Sequence, residues 1–117
     1  MIFEFPMPPN LTNGRYHWRT LQRRKVAFKD TCDTLQVMGS LPKPPLKPWP
    51  SCTVRGVLYL GAKMDTDNLL ARCKWPMDWL QSRGYIANDR DARWLGIPEQ
   101  VIRRGQPYRV VLTLEPV

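Results

Sequence analysis

The sequence predicts one α/β domain of the α+β kind, in which a small mixed sheet packs against two main helices. The chain has 117 residues, the length of a single domain. Short apolar segments typical of strands alternate with two longer segments whose apolar residues recur at helical spacing. No internal repeat is visible. We therefore treat residues 1–117 as one domain.

The first half of the chain predicts a strand, a helix and a stiff connector. Residues 2–5 form a short strand, and residues 11–18 form a polar loop. Residues 20–37 are helical, because four apolar residues spaced 0, 7, 11 and 14 apart share one helix face. These residues are Leu21, Phe28, Cys32 and Leu35. Prolines make residues 39–51 an extended linker, or alternatively a ligand for an SH3-type domain.

The second half predicts a core strand, a second helix and two further strands. The core strand is Cys52–Leu60, and the helix runs from about residue 67 to residue 83. Pro76 lies inside that helix, so we expect a kink or a restart with Pro76 in a first turn. Gly84 is suited to end the helix. One strand is expected within residues 92–102 and a clearer one at residues 108–115.

The charge of the chain favours a polyanionic partner. The formal net charge is +8, with 18 Lys and Arg against 10 Asp and Glu. Neutralising phosphates releases counterions, so basic domains often bind nucleic acid, although a merely basic soluble protein is the alternative. Arg15, Arg19 and Arg23 are spaced by four, and the last two lie on the polar face of the first helix. We expect these three to contact DNA phosphates; a solvated helix face is the other interpretation.

Several classes of site are disfavoured by composition. The three cysteines lack C-x-x-C spacing, and the chain has one histidine, which argues against a disulfide framework or a zinc site. The N-terminal residues do not resemble a signal peptide, and the apolar runs are too short to span a membrane. We therefore expect a cytoplasmic protein without membrane contact.

Acidic residues stand out in this basic chain. Asp65 and Asp67 lie where the core strand leads into the second helix, and Asp89 follows that helix. If the chain returns after the helix, Asp89 is brought back beside the other two. Three converging carboxylates repel one another, and a hard divalent cation such as Mg²⁺ or Mn²⁺ relieves the repulsion. The alternative is structural: Asp67 as an N-cap, Asp65 as an exposed turn residue, and Asp89 as a loop acid.

A lysine on the second helix extends this hypothesis. Lys74 follows Asp67 by seven residues, two helical turns, so an unbroken helix places both on one side. An ammonium group there would stabilise negative charge that develops on a phosphate during cleavage. The alternative is an ordinary surface lysine.

Taken together, these motifs resemble the RusA family of Holliday-junction resolvases. The resemblance rests on Asp65-Thr66-Asp67-Asn68-Leu69, Trp79-Leu80, Gly84-Tyr85-Ile86 and Asn88-Asp89. The N-terminus is similar as well, with Phe5-Pro6-Met7-Pro8-Pro9-Asn10, then Asn13 and Arg15-Tyr16. It covers most of the chain, although the proline-rich connector and the last two strands match by type alone.

The resemblance implies an activity and a site. The family's three catalytic aspartates map onto Asp65, Asp67 and Asp89, and its helical lysine maps onto Lys74, with Arg72 as the second choice. Asn88 departs from the family, which often has an acid there. The implied activity is Mg²⁺-dependent, symmetric nicking of four-way DNA junctions by a homodimer in recombination and repair. Members are common in phages and prophages.

The number of large apolar residues also bears on assembly. Trp75, Trp79, Trp94, Tyr85 and Ile86 lie around the second helix and its exit. We expect some of them to be exposed as an interface of a two-fold homodimer, with an unpaired sheet edge as the other candidate surface. A different class of function also fits the basic charge, namely a non-catalytic nucleic-acid-binding protein of recombination or packaging.

Overall fold

A five-stranded mixed sheet and two helices form the domain, as the sequence predicts. The computed structural model describes residues 1–9 and 17–117. The strands are β1 (Ile2–Pro6), β2 (Cys52–Leu60), β3 (Ala92–Trp94), β4 (Glu99–Ile102) and β5 (Arg109–Pro116). The helices are α1 (Trp18–Val37) and α2 (Thr66–Ser82), and a single 3₁₀ turn spans Asp89–Asp91.

Strand β2 is the centre of the sheet. β5 pairs with it antiparallel along one side, and β1 pairs antiparallel with β5 at the sheet edge. On the other side β3 pairs in parallel with the first part of β2, and β4 with the last part. The expectation of one strand within residues 92–102 is therefore wrong, because two are present. Gly96 has a φ of 94° and is followed closely by Pro98, which lacks an N–H, so the ladder is interrupted there.

The helices cover one face of this sheet. Alternate residues of the central strands point toward them and are buried, among them Val54, Leu58 and Leu112. Helix α1 contributes Phe28 and Cys32, which are buried as its periodicity predicts. The intervening residues of β2 and β5, such as Val57 and Val111, are half-buried on the opposite face.

The aromatic residues around α2 belong to the core, so the expectation of an exposed aromatic patch is wrong. Trp75, Trp79, Tyr85 and Ile86 are all buried, and Trp94 is partly buried against the same core. The ring of Trp79 lies 5.2 Å from that of Tyr85 and 5.8 Å from that of Phe5. These rings pack against one another between the helices and the sheet, so the core of the single chain accommodates them.

Helix α2 is continuous, although Pro76 lies inside it. The expected restart at Pro76 does not occur. Its ring is buried, so apolar packing offsets the hydrogen bond that proline cannot donate. The predicted end of the helix is confirmed, because Gly84 follows the C-cap with a φ of 84°.

Polar contacts tie the two helices together. The Asp33 carboxylate accepts two hydrogen bonds from Arg83, at 2.6 and 2.8 Å, and one from the buried Trp79 indole, at 2.8 Å. These bonds, chiefly those from Arg83, hold the pKa of Asp33 below its usual value. A second ion pair joins Lys25 Nζ to Asp78 Oδ2 at 3.1 Å. Among the residues described, no helix is long and apolar enough to cross a membrane.

Candidate metal and DNA site

Asp65 and Asp67 lie at the start of α2, just beyond the carboxyl end of β2. Asp65 is the N-cap residue, with φ −68° and ψ 154°, and its carbonyl accepts the Leu69 N–H at 3.0 Å. Its carboxylate makes no capping hydrogen bond. Asp67 lies in the first turn, so the interpretation of Asp67 as the N-cap is wrong. Both side chains are exposed at the end of the sheet.

Gln100 fixes the backbone immediately before this acid pair. Its side-chain oxygen accepts the Met64 N–H at 2.8 Å, and its side-chain nitrogen donates to the Met64 carbonyl at 3.1 Å. Gln100 can reach Met64 because β4 runs parallel to β2 and ends at the same edge. No local sequence signal indicates this contact, since it spans 36 positions.

Asp89 is held by a second glutamine. The Gln81 side-chain oxygen accepts the Asp89 N–H at 2.9 Å, which anchors the 3₁₀ turn to the last turn of α2. The side chain of Asn88 caps this turn by accepting the Arg90 N–H at 3.1 Å. Asn88 therefore shapes the turn that carries Asp89.

Lys74 and Asp89 line the same cavity, of about 170 Å³. Its other lining residues are Leu70, Cys73, Met77 and Trp94. Leu70, Lys74 and Met77 follow Asp67 by three, seven and ten residues, so Asp67 lies on the helical stripe that leads into this cavity. Burial raises the pKa of the Cys73 thiol to about 12, which leaves the thiol protonated and disfavours it as a metal ligand.

Arg72, the second choice for the catalytic cation, points elsewhere. Its Nη1 donates to the Pro8 carbonyl at 2.5 Å, and its Nε is buried without a hydrogen bond among the described residues. Burial lowers the pKa of Arg72. The geometry therefore favours Lys74, which is exposed and lines the cavity with Asp89.

The three aspartates do not form a preassembled cluster. Within residues 1–9 and 17–117, no group of three or more His, Cys, Asp or Glu side chains is placed to hold a metal ion. Asp67 lies in the first turn of α2, whereas Asp89 is anchored to Gln81 in the last turn, about 21 Å further along the helix axis. Side-chain rotation alone therefore does not bring the three carboxylates together, and a cation held by all three requires the turn that carries Asp89 to move toward the start of α2. Carboxylate oxygens are the ligands that Mg²⁺ prefers, so the donor set fits the ion. A shared cation site remains a prediction.

The predicted phosphate-binding arginines are only partly described. Arg15 lies outside the described residues. Arg19 and Arg23 are exposed on α1, as expected, and the guanidinium carbon of Arg19 lies 5.2 Å from the ring centre of the exposed Trp18. Their contact with DNA remains a prediction.

Comparison with models of known protein families and with curated proteins finds no match for this chain. The likeness to the RusA family therefore rests on the motif residues alone.

Proposed function

We propose that this chain is a Mg²⁺-dependent endonuclease that resolves four-way DNA junctions. One observation carries the proposal: a single stripe of α2 runs from Asp67 to Lys74, and Lys74 shares a cavity with Asp89. Acidic ligands and a cation along one helix of a basic domain suit the cleavage of a phosphodiester.

Each residue has a distinct part in this proposal. Asp65, Asp67 and Asp89 hold Mg²⁺, or Mn²⁺ in its place. When bound there, such an ion would supply polarisation of the scissile phosphate and activation of a water molecule. Lys74 donates to a phosphate oxygen and stabilises the added negative charge. Gln81 and Gln100 keep the two acid-bearing segments in place.

The proposed assembly is a homodimer acting in the cytoplasm, that of a bacterial host if the chain is phage-encoded. A four-way junction has strands related by two-fold symmetry, and a two-fold dimer presents two identical sites to them. One chain of 13.7 kDa offers one such site. Paired nicks thus follow from the symmetry of the assembly.

A cleavage assay tests the proposal. A labelled four-way junction and a linear duplex of the same sequence are incubated with the protein, with Mg²⁺ or with EDTA. We expect nicks in opposing strands of the junction with Mg²⁺ only, and little cleavage of the duplex. Absence of nicks in the junction at every Mg²⁺ concentration would overturn the proposal.

The second candidate is a non-catalytic nucleic-acid-binding protein. It is favoured by the position of Asp67, because an acid in the first turn stabilises a helix through its dipole without any metal. That candidate predicts junction binding with no Mg²⁺-dependent nicks in the same assay.

A further inference from the structure

A second cavity lies at the same end of the sheet as Asp65 and Asp67. It has a volume of about 320 Å³ and is lined by Tyr59, Arg103, Gln106 and Arg109. It therefore gathers two guanidinium groups, one amide and one phenol ring. None of these residues belongs to the acid-bearing site, and the proposed function assigns them no part.

The pairing of β2 with β5 brings together two of the lining residues, Tyr59 and Arg109. Tyr59 of β2 is paired with Arg109 of β5, so the two side chains stand next to each other on the sheet face opposite the helices. The guanidinium carbon of Arg109 lies 4.0 Å from the ring centre of Tyr59. The ring thus supports the guanidinium from one side and orients it, as a cation–π contact does.

The turn after β4 supplies the other two lining residues, Arg103 and Gln106. The Arg103 N–H donates to the Leu60 carbonyl at 2.7 Å, and the Gln106 N–H donates to the Arg103 carbonyl at 3.3 Å. Gly105, with a φ of 77°, allows the chain to turn between them. Arg103 and Gln106 are held in this way against the end of β2.

The two arginines give the cavity a positive charge that favours binding of an anion. Glu4 Oε1 lies 3.0 Å from Arg109 Nε, but without the alignment of a hydrogen bond, so this Nε keeps an unused donor. Arg103 is exposed and has no ion-pair partner in the part of the chain that the structure describes. Two guanidinium groups facing one space repel each other, and an oxyanion that accepts from both relieves the repulsion.

The position of the cavity identifies the anion. Tyr59 and Asp65 are six residues apart, so their Cα atoms are separated by at most about 22 Å. A DNA strand that crosses the end of β2 meets the cavity within a few nucleotides of Asp65 and Asp67. Because Arg109 already covers one face of the Tyr59 ring, the cavity is built for a phosphate and not for a stacked base.

We propose that this cavity binds a backbone phosphate of the DNA strand that is cut, a few nucleotides from the scissile bond. The inference rests on the proposed function. It assigns Arg103 and Arg109 as phosphate ligands, Tyr59 as a positioning residue for Arg109, and Gln106 as a further hydrogen-bond donor.

The test compares two neighbouring arginines. Arg103 lines the cavity, whereas Arg104 is exposed beside it and does not. Binding of the full chain to a fluorescent four-way junction is measured in Ca²⁺ at several KCl concentrations. For Arg103→Gln we expect affinity to fall about tenfold and the salt slope to fall by about one unit. Arg104→Gln should change affinity less than about twofold, since it removes only a distant charge. Equal effects of the two substitutions would overturn the assignment.

A second variant addresses the other ligand. Arg109→Lys keeps the positive charge but loses the planar fork that two phosphate oxygens accept from. We expect weaker junction binding with a salt slope close to that of the wild type. A melting curve shows whether the variant is folded. Should it fold and bind as tightly as the wild type, Arg109 is not a phosphate ligand.

The outcomes separate this inference from the proposed function. If the wild type nicks junctions while Arg103→Gln and Arg104→Gln bind alike, the cavity assignment fails and the nuclease proposal stands. If the wild type binds junctions without nicking them, while Arg103→Gln alone weakens binding, the nuclease proposal fails and the cavity remains a DNA phosphate site. Failure of the wild type to bind any DNA overturns both.

Discussion

Gln100 and Met64 are joined by two hydrogen bonds, in which one side-chain amide satisfies both the N–H and the carbonyl of one residue. The Gln100 amide thus bonds to Met64 as a neighbouring strand would. It fixes the position of Met64, the residue that precedes Asp65. The orientation of the first two aspartates therefore depends on a residue of β4.

We predict that Gln100→Ala lowers the affinity for Mg²⁺ while the domain stays folded. Loss of both bonds lets the segment before Asp65 move, so the cleavage rate should fall about tenfold at fixed Mg²⁺. The Mg²⁺ concentration for half-maximal rate should rise. The measurement is the cleavage rate against Mg²⁺ concentration, with Gln22→Ala on the exposed side of α1 as the control. An unchanged Mg²⁺ dependence would show that Gln100 does not position the acids.

The sequence predicted the fold well because its signals are local. The helical spacing in α1, the apolar strand β2 and the glycine after α2 are all visible within short windows. The split of residues 92–102 into two strands was missed, since a glycine and a proline in one loop do not reveal that both flanks pair with the same strand.

The residues that support the aspartates could not be predicted from the sequence. Gln81 and Gln100 are ordinary glutamines, and their partners lie 8 and 36 positions away. Pro76 predicted a kink or a restart, but α2 continues through it without a restart and buries its ring in the core. Lys74 follows Asp67 on one side of α2 because the helix stays continuous, and its shared cavity with Asp89 was not predicted from the sequence.

We predict that Asp67→Asn abolishes cleavage and preserves junction binding. Asparagine keeps the shape but removes the charge that holds a cation, so the rate should fall by about three orders of magnitude or more. Binding should be equal or tighter, because one repulsion from phosphate is removed. Asp91→Asn is the matched control, since Asp91 is exposed on the turn that carries Asp89 but does not line the cavity. Cleavage by Asp67→Asn at the wild-type rate would make Asp67 a helix-stabilising residue only.

We predict that Asp33→Asn destabilises the domain at neutral pH by about 1 kcal/mol, a modest value because Asp33 and Arg83 are partly exposed. The folded pKa of Asp33 is lowered, so its charged form stabilises the fold above the unfolded pKa near 4. That contribution is lost as the pH falls through the folded pKa.

Urea unfolding at several pH values checks this. The stability difference between wild type and Asp33→Asn should be full at pH 6–7 and shrink below about pH 4. Asp30→Asn, at an exposed position one turn earlier, is the control for loss of charge alone. A difference that stays constant down to pH 2 would contradict the role of the Asp33–Arg83 pair.

We predict a homodimer that uses the β1 edge of the sheet, since the aromatic residues around α2 are buried. β1 is an edge strand, and its Ile2 is 65 % exposed. Sedimentation at micromolar concentration should give twice the chain mass of 13.7 kDa. Ile2→Lys should shift the population toward monomer, whereas Leu46→Lys, at an exposed leucine of the connector, should not. A monomeric wild type that still makes paired nicks would contradict a preformed dimer.

The central claim is that Asp65, Asp67 and Asp89 share one divalent cation, and Mn²⁺ titration followed by NMR tests it most directly. Mn²⁺ broadens the amide resonances of nuclei close to it. We expect the amides of these three residues to broaden first, at the lowest Mn²⁺ concentration, and Asp67→Asn to remove the effect at all three. Broadening of Asp65 and Asp67 without Asp89, or first broadening elsewhere in the domain, would contradict the claim.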